Sequence, residues 1–310
     1  MKIFKPKFWD KQGLSFLSLT LLPFSFLYKI IFNIKYLVTK RRDFSVPIIC
    51  VGNLYLGGTG KTPVSMKIFE ILKKMKKNPV IIKKNYKEQE DEILLIKKYC
   101  KIITEKRRSE GINLAIKKNY DVVILDDGFQ DFEIKKNINI ICFNLKQKVG
   151  NGLIIPSGPL RQNLKALSDC QIIFLNGKKD IDFENKLAKY NSAVQFIYYE
   201  YITENLSILS NKRLIAFAGI GNPVNFFHFL KSNNLNIIKE INYPDHYNYS
   251  KKDLKYLEKL SNKYKAKLIT TEKDYMRILP DYRKNLNYLP IKINLKNEDI
   301  LKDIIIKKIL

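Results

Sequence analysis

Apolar residues gather in short runs at 46–51, 79–82, 122–125, 138–143 and 171–175, with only Asn139 and the leading Gln171 polar among them. Runs of this length read as strands buried on both faces, the signature of a mainly parallel sheet covered by helices. Helix-period segments lie between them. One of about four turns follows residue 60 and ends near Lys77, and an acidic-led one begins near Asp91. A second alternating set starts near Arg213, with strands at 214–219, 237–241, 267–270 and 288–293 and helices at 222–232, 250–262 and on to Leu310. The expected organisation is α/β throughout: a larger domain at 43–190, a linker at 191–212 and a smaller α/β domain at 213–310.

The N-terminus departs from this rhythm. Residues 14–28, LSFLSLTLLPFSFLY, carry no charge and follow Lys2, Lys5, Lys7 and Lys11. No small-residue cleavage site comes next; instead Lys29, an amphipathic IIFNIKYLV run and Lys40-Arg41-Arg42 follow, so the segment reads as retained. As a helix its uncharged part spans about 22 Å, short of the roughly 30 Å hydrocarbon core. Residues 1–42 are therefore expected to form a membrane-associated helix with basic flanks, embedded or interfacial and kinked at Pro23.

The chemistry concentrates where the first buried run ends. Val46-Pro47-Ile48-Ile49-Cys50-Val51-Gly52 runs into Asn53-Leu54-Tyr55-Leu56-Gly57-Gly58-Thr59-Gly60-Lys61-Thr62-Pro63. A buried strand, a glycine-rich turn and Gly-Lys-Thr opening a helix form a phosphate cradle: amide N–H groups converge on an anion and the helix adds its positive end. Residues 55–62 are the expected nucleotide-binding loop, with Lys61 reaching the β- and γ-phosphates and the Thr62 hydroxyl on Mg2+. Pro63 falls in the first helical turn, where a missing N–H costs nothing. Tyr55 stands where the pattern G-x-x-x-x-G-K-S/T has its leading glycine, and Gly57 and Gly58 supply that flexibility later. Asp126-Asp127-Gly128, closing the run at 122–125, offers the carboxylates that bind Mg2+ directly or through water.

Composition narrows the partners. The chain has 310 residues, 45% of them hydrophobic, and a formal net charge of +26. Its lysines are spread along the sequence, and no helix-turn-helix, zinc-finger or RNP-like pattern accompanies them, which argues against nucleic acid. The surplus suits an anionic membrane or an anionic substrate. Cys50, Cys100, Cys142 and Cys170 lie far apart without C-x-x-C spacing, so neither a zinc site nor a disulfide framework is expected. Of the two histidines, His246 falls in the turn-like Tyr243-Pro244-Asp245-His246-Tyr247, and His228 reads as part of a packed helix.

Taken together, the segments resemble the tetraacyldisaccharide 4′-kinases of lipid A biosynthesis. They are the Phe8-Trp9 start, VGNLYLGGTGKTP at 51–63, LDDGFQ at 125–130, GNGLIIPSGPLR at 150–161, AGIGNPVNFF at 218–227, YPDHYNYS at 243–250 and TTEKDYMRI at 270–278. The resemblance implies a P-loop NTPase-like domain with a smaller α/β domain. It also implies an enzyme on the cytosolic face of a bacterial inner membrane that transfers the γ-phosphoryl of ATP, with Mg2+, to the 4′-hydroxyl of tetraacyldisaccharide 1-phosphate, giving lipid IV-A. The substrate is then an anionic glycolipid at a membrane surface, with no nucleic acid and no obligate protein partner. The family's Asp-His pair maps onto Asp91 and His246, catalytic together with Lys61: His246 would deprotonate the hydroxyl and Asp91 orient it. Asn53 and Arg161 are candidate substrate contacts.

Several positions depart from the family pattern. Its Ser-Arg-Gly-Tyr is here Lys83-Lys84-Asn85-Tyr86, with a shortened loop after it; Asp131 replaces a histidine, Gln162 a glutamate, and Tyr247 the second histidine of Asp-His-His. The rival expectation is a membrane-tethered nucleotide hydrolase or switch, which needs the phosphate loop and Mg2+ but no lipid acceptor. Glu272-Lys273-Asp274 is expected in a loop near the nucleotide.

Overall fold

The computed structural model describes residues 6–11, 13–86, 89–203, 206 and 209–309. In chain order its first elements are α1 (Phe16–Thr20), α2 (Leu22–Val38), β1 (Ile48–Gly52), α3 (Lys61–Lys74), β2 (Pro79–Lys84), α4 (Glu90–Tyr99), β3 (Ile102–Glu105), α5 (Arg108–Lys117), β4 (Val122–Asp126), β5 (Ile138–Asn144), β6 (Ile172–Asn176), α6 (Ile181–Ala188) and β7 (Gln195–Ile202). Then come β8 (Arg213–Ala218), α7 (Pro223–Ser232), β9 (Asn236–Asn242), α8 (Lys251–Tyr264), β10 (Lys267–Thr271), α9 (Glu272–Arg277), β11 (Leu286–Leu289), β12 (Lys292–Leu295) and α10 (Glu298–Ile309).

The chain divides into two units. The larger holds the described residues of Ile3–Asn85, Cys100–Glu200 and Ile293–Leu310. Its sheet has the order β12-β7-β6-β5-β1-β4-β2-β3, and the pairs from β7 to β3 are parallel. Every residue of β1 and β4 is buried, as their unbroken apolar runs require. These two strands are neighbours in the register Val51↔Asp126, so the loop after β1 and the carboxylates ending β4 emerge side by side at the carboxyl edge. Ligands of open α/β sheets bind at that edge.

The smaller unit gathers Tyr86–Tyr99 and Tyr201–Lys292. Its parallel sheet runs β11-β10-β8-β9. One face packs with Phe226, Phe227 and Leu230 of α7, the other with Leu254, Leu257 and Leu260 of α8.

The division differs from the expected one in three places. Part of the predicted linker at 191–212 is β7, whose Ile197, Tyr198 and Tyr199 are buried between more exposed ends. Residues 86–99 join the smaller unit because α4 packs on α9. The C-terminal helix returns to the larger unit: β12 lies beside β7, and Glu298 pairs with Lys67 of α3 at 3.0 Å.

At the N-terminus, α1 and α2 turn their small polar residues inward. Ser18 and Ser25 are buried, and the Ser25 hydroxyl donates to the Ile154 carbonyl at 2.9 Å and lies 2.8 Å from the Ser157 hydroxyl. Their large apolar side chains face outward, Phe16 at 80% and Leu37 at 79% exposure. The expected kink at Pro23 is instead a break at Leu21, with Pro23 in the first turn of α2, where its missing N–H is tolerated. Among the described residues no helix is long and apolar enough to cross a membrane. Lys2, Lys5 and Leu310 lie outside the described residues.

Candidate active site

The phosphate-loop region is built around β1, α3 and the end of β4. Gly60 caps α3 at φ 87° and Gly57 takes φ 132°, backbone conformations that a side chain resists. A Cβ at Gly58 would meet nothing within 4 Å, so the glycine face of the loop opens outward. Behind that face, Asn53 is fully buried, and its amide donates to the carbonyls of Tyr55 at 2.5 Å and Gly57 at 3.2 Å and to the Thr59 hydroxyl at 3.0 Å. Asn53 thus braces the loop from behind. Tyr55 and Thr59 are also buried, the former donating to Asp10, so their backbone rather than their side chains borders the hollow. Leu56 stays exposed.

The two aspartates divide their tasks. Asp126 is fully buried: Oδ2 accepts from the Thr62 hydroxyl at 3.0 Å and the Lys83 ammonium at 2.6 Å, and Oδ1 from the Ser65 hydroxyl at 3.0 Å. Asp127, at φ 58°, keeps 19% of its side chain exposed. Its Oδ1 lies 3.6 Å from Lys61 Nζ and 3.0 Å from Arg161 Nη1. Burial alone would raise its pKa, but Lys61, Arg161, Lys83 and Arg108 together hold it down to about 2. Arg108 donates to the Asp127 carbonyl at 2.6 Å and pairs with Asp131 at 3.3 Å, so Asp131 anchors an arginine beside the aspartates. Gln130 donates to the Asn53 carbonyl at 2.8 Å and to Gln162 Oε1 at 3.1 Å, joining the loop to the segment that carries Arg161.

These residues fit a nucleotide and a divalent cation. The outward glycine face, the N-terminus of α3 and Lys61 suit a polyphosphate. Thr62 and the partly exposed Asp127 are oxygen donors suited to Mg2+, with Asp126 behind them.

The smaller unit contains a second constellation. Asp91, in the first turn of α4, is 3% exposed and pairs with Arg277 Nη2 and, at 3.4 Å, with Lys273 Nζ. His246 Nδ1 stands 3.3 Å from Asp91 Oδ1 and 3.3 Å from Arg277 Nη2. Burial would raise the Asp91 pKa, yet the His246 hydrogen bond, Lys273 and Arg277 bring it to about 2. His246 is held at φ 54°, its N–H shared between the Gly219 carbonyl at 3.1 Å and Asp245 Oδ1 at 3.0 Å. Arg277 also donates to the Gly219 carbonyl at 2.7 Å and to Asp274 Oδ1 at 3.0 Å. One guanidinium therefore fixes the carboxylate that faces the imidazole and the turn that carries it.

Sequence reasoning paired Asp91 with His246, and the structure brings them together; Lys61, Thr62, Asp126, Asp127 and Arg161 likewise converge. It missed Ser65, Lys83, Arg108, Gln130, Lys273 and Arg277. The last two lie in TTEKDYMRI, spaced four residues apart, a helical spacing that could have pointed to one face. The expected loop at Glu272-Lys273-Asp274 is helix α9, with Glu272 and Asp274 buried. His228 sits on α7 but on its exposed side.

A model of the tetraacyldisaccharide-1-P 4′-kinase family matches residues 17–310. A tetraacyldisaccharide 4′-kinase of Pelagibacter ubique is 39% identical over 310 residues, covering 99% of this chain and 98% of that protein. One from Rickettsia akari is 33% identical over 99% of this chain and 98% of its own length. Among solved structures, LpxK from Aquifex aeolicus in complex with ATP superposes with a TM-score of 0.77 at 26% identity, covering 95% of this chain and all of that one.

Proposed function

The chain belongs to the tetraacyldisaccharide 4′-kinase family, and from that premise we propose how its own residues divide the work. It is an ATP-dependent kinase that phosphorylates the 4′-hydroxyl of tetraacyldisaccharide 1-phosphate in lipid A biosynthesis, and the match along residues 17–310 carries this conclusion. The nucleotide hydrolase reading is not favoured, since it leaves the Asp91–His246 pair without a task.

Phosphoryl transfer demands positioning and charge neutralisation more than covalent chemistry. Residues 55–62 present their amides to the phosphates, and Lys61 neutralises charge on the transferring group. Thr62 and Asp127 would hold Mg2+, with Asp126 fixing the Thr62 hydroxyl. Bound Mg2+ supplies further neutralisation of the phosphate oxygens. Arg161, held beside Asp127, is placed to meet the same charge.

The acceptor hydroxyl must lose a proton. Asp91 is kept ionised far below neutral pH by its cations, so it is a weak proton acceptor. That supports His246 Nε2 as the base, with Nδ1 turned to Asp91, which orients the ring. The outward apolar face of α1 and α2 supports interfacial binding at the cytosolic face of a bacterial inner membrane, where the basic chain meets anionic lipid.

The test is transfer of labelled γ-phosphate from ATP to tetraacyldisaccharide 1-phosphate in detergent micelles, with Lys61→Ala beside the wild type. A labelled lipid that vanishes in the variant is the expected result. ATP consumption by a folded wild type without labelled lipid would return the hydrolase reading to first place.

A further inference from the structure

Lys83 lies near the carboxyl end of β2, and its side chain is only 3% exposed. It ends in a fully buried place, 2.6 Å from Asp126 Oδ2, the same oxygen that the Thr62 hydroxyl addresses. A buried carboxylate requires a charge partner and hydrogen bonds to all its oxygens. Asp126 has both from the protein itself: Lys83 for charge, Thr62 and Ser65 for the remaining bonds. No other cation is paired with Asp126 among the described residues, since Lys61 and Arg161 address Asp127.

We propose that Lys83 is a built-in monovalent cation that occupies Asp126, so that the site is shaped before any metal arrives and the divalent ion is left to Thr62, Asp127 and the nucleotide. This rests on the kinase reading above. Lys83 is thus a positioning residue: it holds Asp126, and Asp126 holds the Thr62 hydroxyl proton, turning that oxygen's lone pairs away from the carboxylate. A neutral side chain at this place would leave the carboxylate uncompensated and open to a divalent ion. The ammonium also repels a second cation from Asp126, which weakens metal binding in the absence of nucleotide.

Thermal unfolding of nucleotide-free protein with and without MgCl2, with NaCl at matched ionic strength as control, tests this. The wild type is expected to gain little from Mg2+. Lys83→Met is expected to melt on the order of 10 °C lower without metal, because a buried charge has lost its partner, and to be restored selectively by Mg2+. The double variant Lys83→Met/Asp126→Asn is expected to regain the stability without metal and to ignore Mg2+. It also serves if the single variant fails to fold. The proposal is overturned if Mg2+ stabilises Lys83→Met no more than the wild type, or if the double variant is no more stable than the single one. Wild-type phosphoryl transfer to the lipid is measured in parallel: its absence would count against the kinase reading alone, and the melting data would still judge Lys83.

Discussion

The two constellations use the same ingredients in opposite proportion. At the carboxyl edge of the larger sheet, Lys61, Lys83, Arg108, Lys136 and Arg161 surround Asp126, Asp127 and Asp131. In the smaller unit, Lys98, Lys273 and Arg277 stand among Asp91, Glu92, Glu272 and Asp274. Positive charge is in surplus in the first and fully spent in the second. A surplus awaits an anion, as a polyphosphate site must. A cluster whose cations are all paired off, balanced in that sense although its carboxylates outnumber them, instead fixes geometry, suiting a place where one imidazole has to be aimed. Asp127 and Asp91 both have pKa values near 2, yet one carboxylate keeps an exposed edge and the other is sealed by its cations.

The largest effect should come from the surplus. Lys61→Ala is expected to lower the lipid phosphorylation rate by about 10^3–10^5-fold, the scale of a cation acting on a transferring phosphoryl group. His246→Ala should cost about 10^2–10^4-fold, the scale of a general base, and should leave nucleotide affinity near wild type. Calorimetric ATP binding beside the kinase assay separates the two. If His246→Ala lost nucleotide binding as Lys61→Ala does, the division between the constellations would be wrong.

Arg277→Met probes the balanced cluster through stability. Breaking a buried pair by removing one partner costs about 3–5 kcal/mol, readable by urea denaturation. Acid gives the finer measure. Asp91 and Asp127 have folded pKa values depressed to about 2 from the ordinary aspartate value of 3.8. Their stabilisation is therefore complete above the unfolded value and lost as pH falls from about 4 toward 2, each contributing on the order of 2 kcal/mol. In Arg277→Met the Asp91 carboxyl should protonate at higher pH, so acid destabilisation begins earlier. An unchanged acid profile would mean that Lys273 and His246 alone hold that charge.

The surplus centre was far more legible in the sequence than the balanced one. Its loop is one contiguous motif, and the apolar run ending in Asp126-Asp127 needs only a neighbouring register to complete it. Lys83 was hidden because a lysine ending a strand reads as solvated. In the smaller unit, Asp91 is separated in sequence by more than a whole domain from Lys273 and Arg277, and no periodicity marks α4 as their neighbour. Only the family resemblance paired it with His246. The strand β7 was missed for a related reason: its Gln195, Glu200 and Ile202 ends are exposed, so composition reads as a connection while the middle is buried.

The smallest expected effect tests how much the surplus tolerates. Gln162 Oε1 accepts from Gln130 Nε2 at 3.1 Å. Gln162→Glu keeps that acceptor, so the bond through Gln130 to the Asn53 carbonyl survives, and only a negative charge is added. The position is partly exposed, where solvent weakens charge effects to roughly 1 kcal/mol or less. Transfer rates should change by no more than about fivefold. The added charge draws on Arg161, which donates 3.3 Å to Gln130 Oε1 and pairs with Asp127. A loss beyond tenfold would mean that the positive excess at the phosphate loop has no margin and that the glutamine is a tuned part of it. A gain beyond tenfold would mean the reverse, that the glutamine has left too much positive charge on Arg161 for rapid turnover.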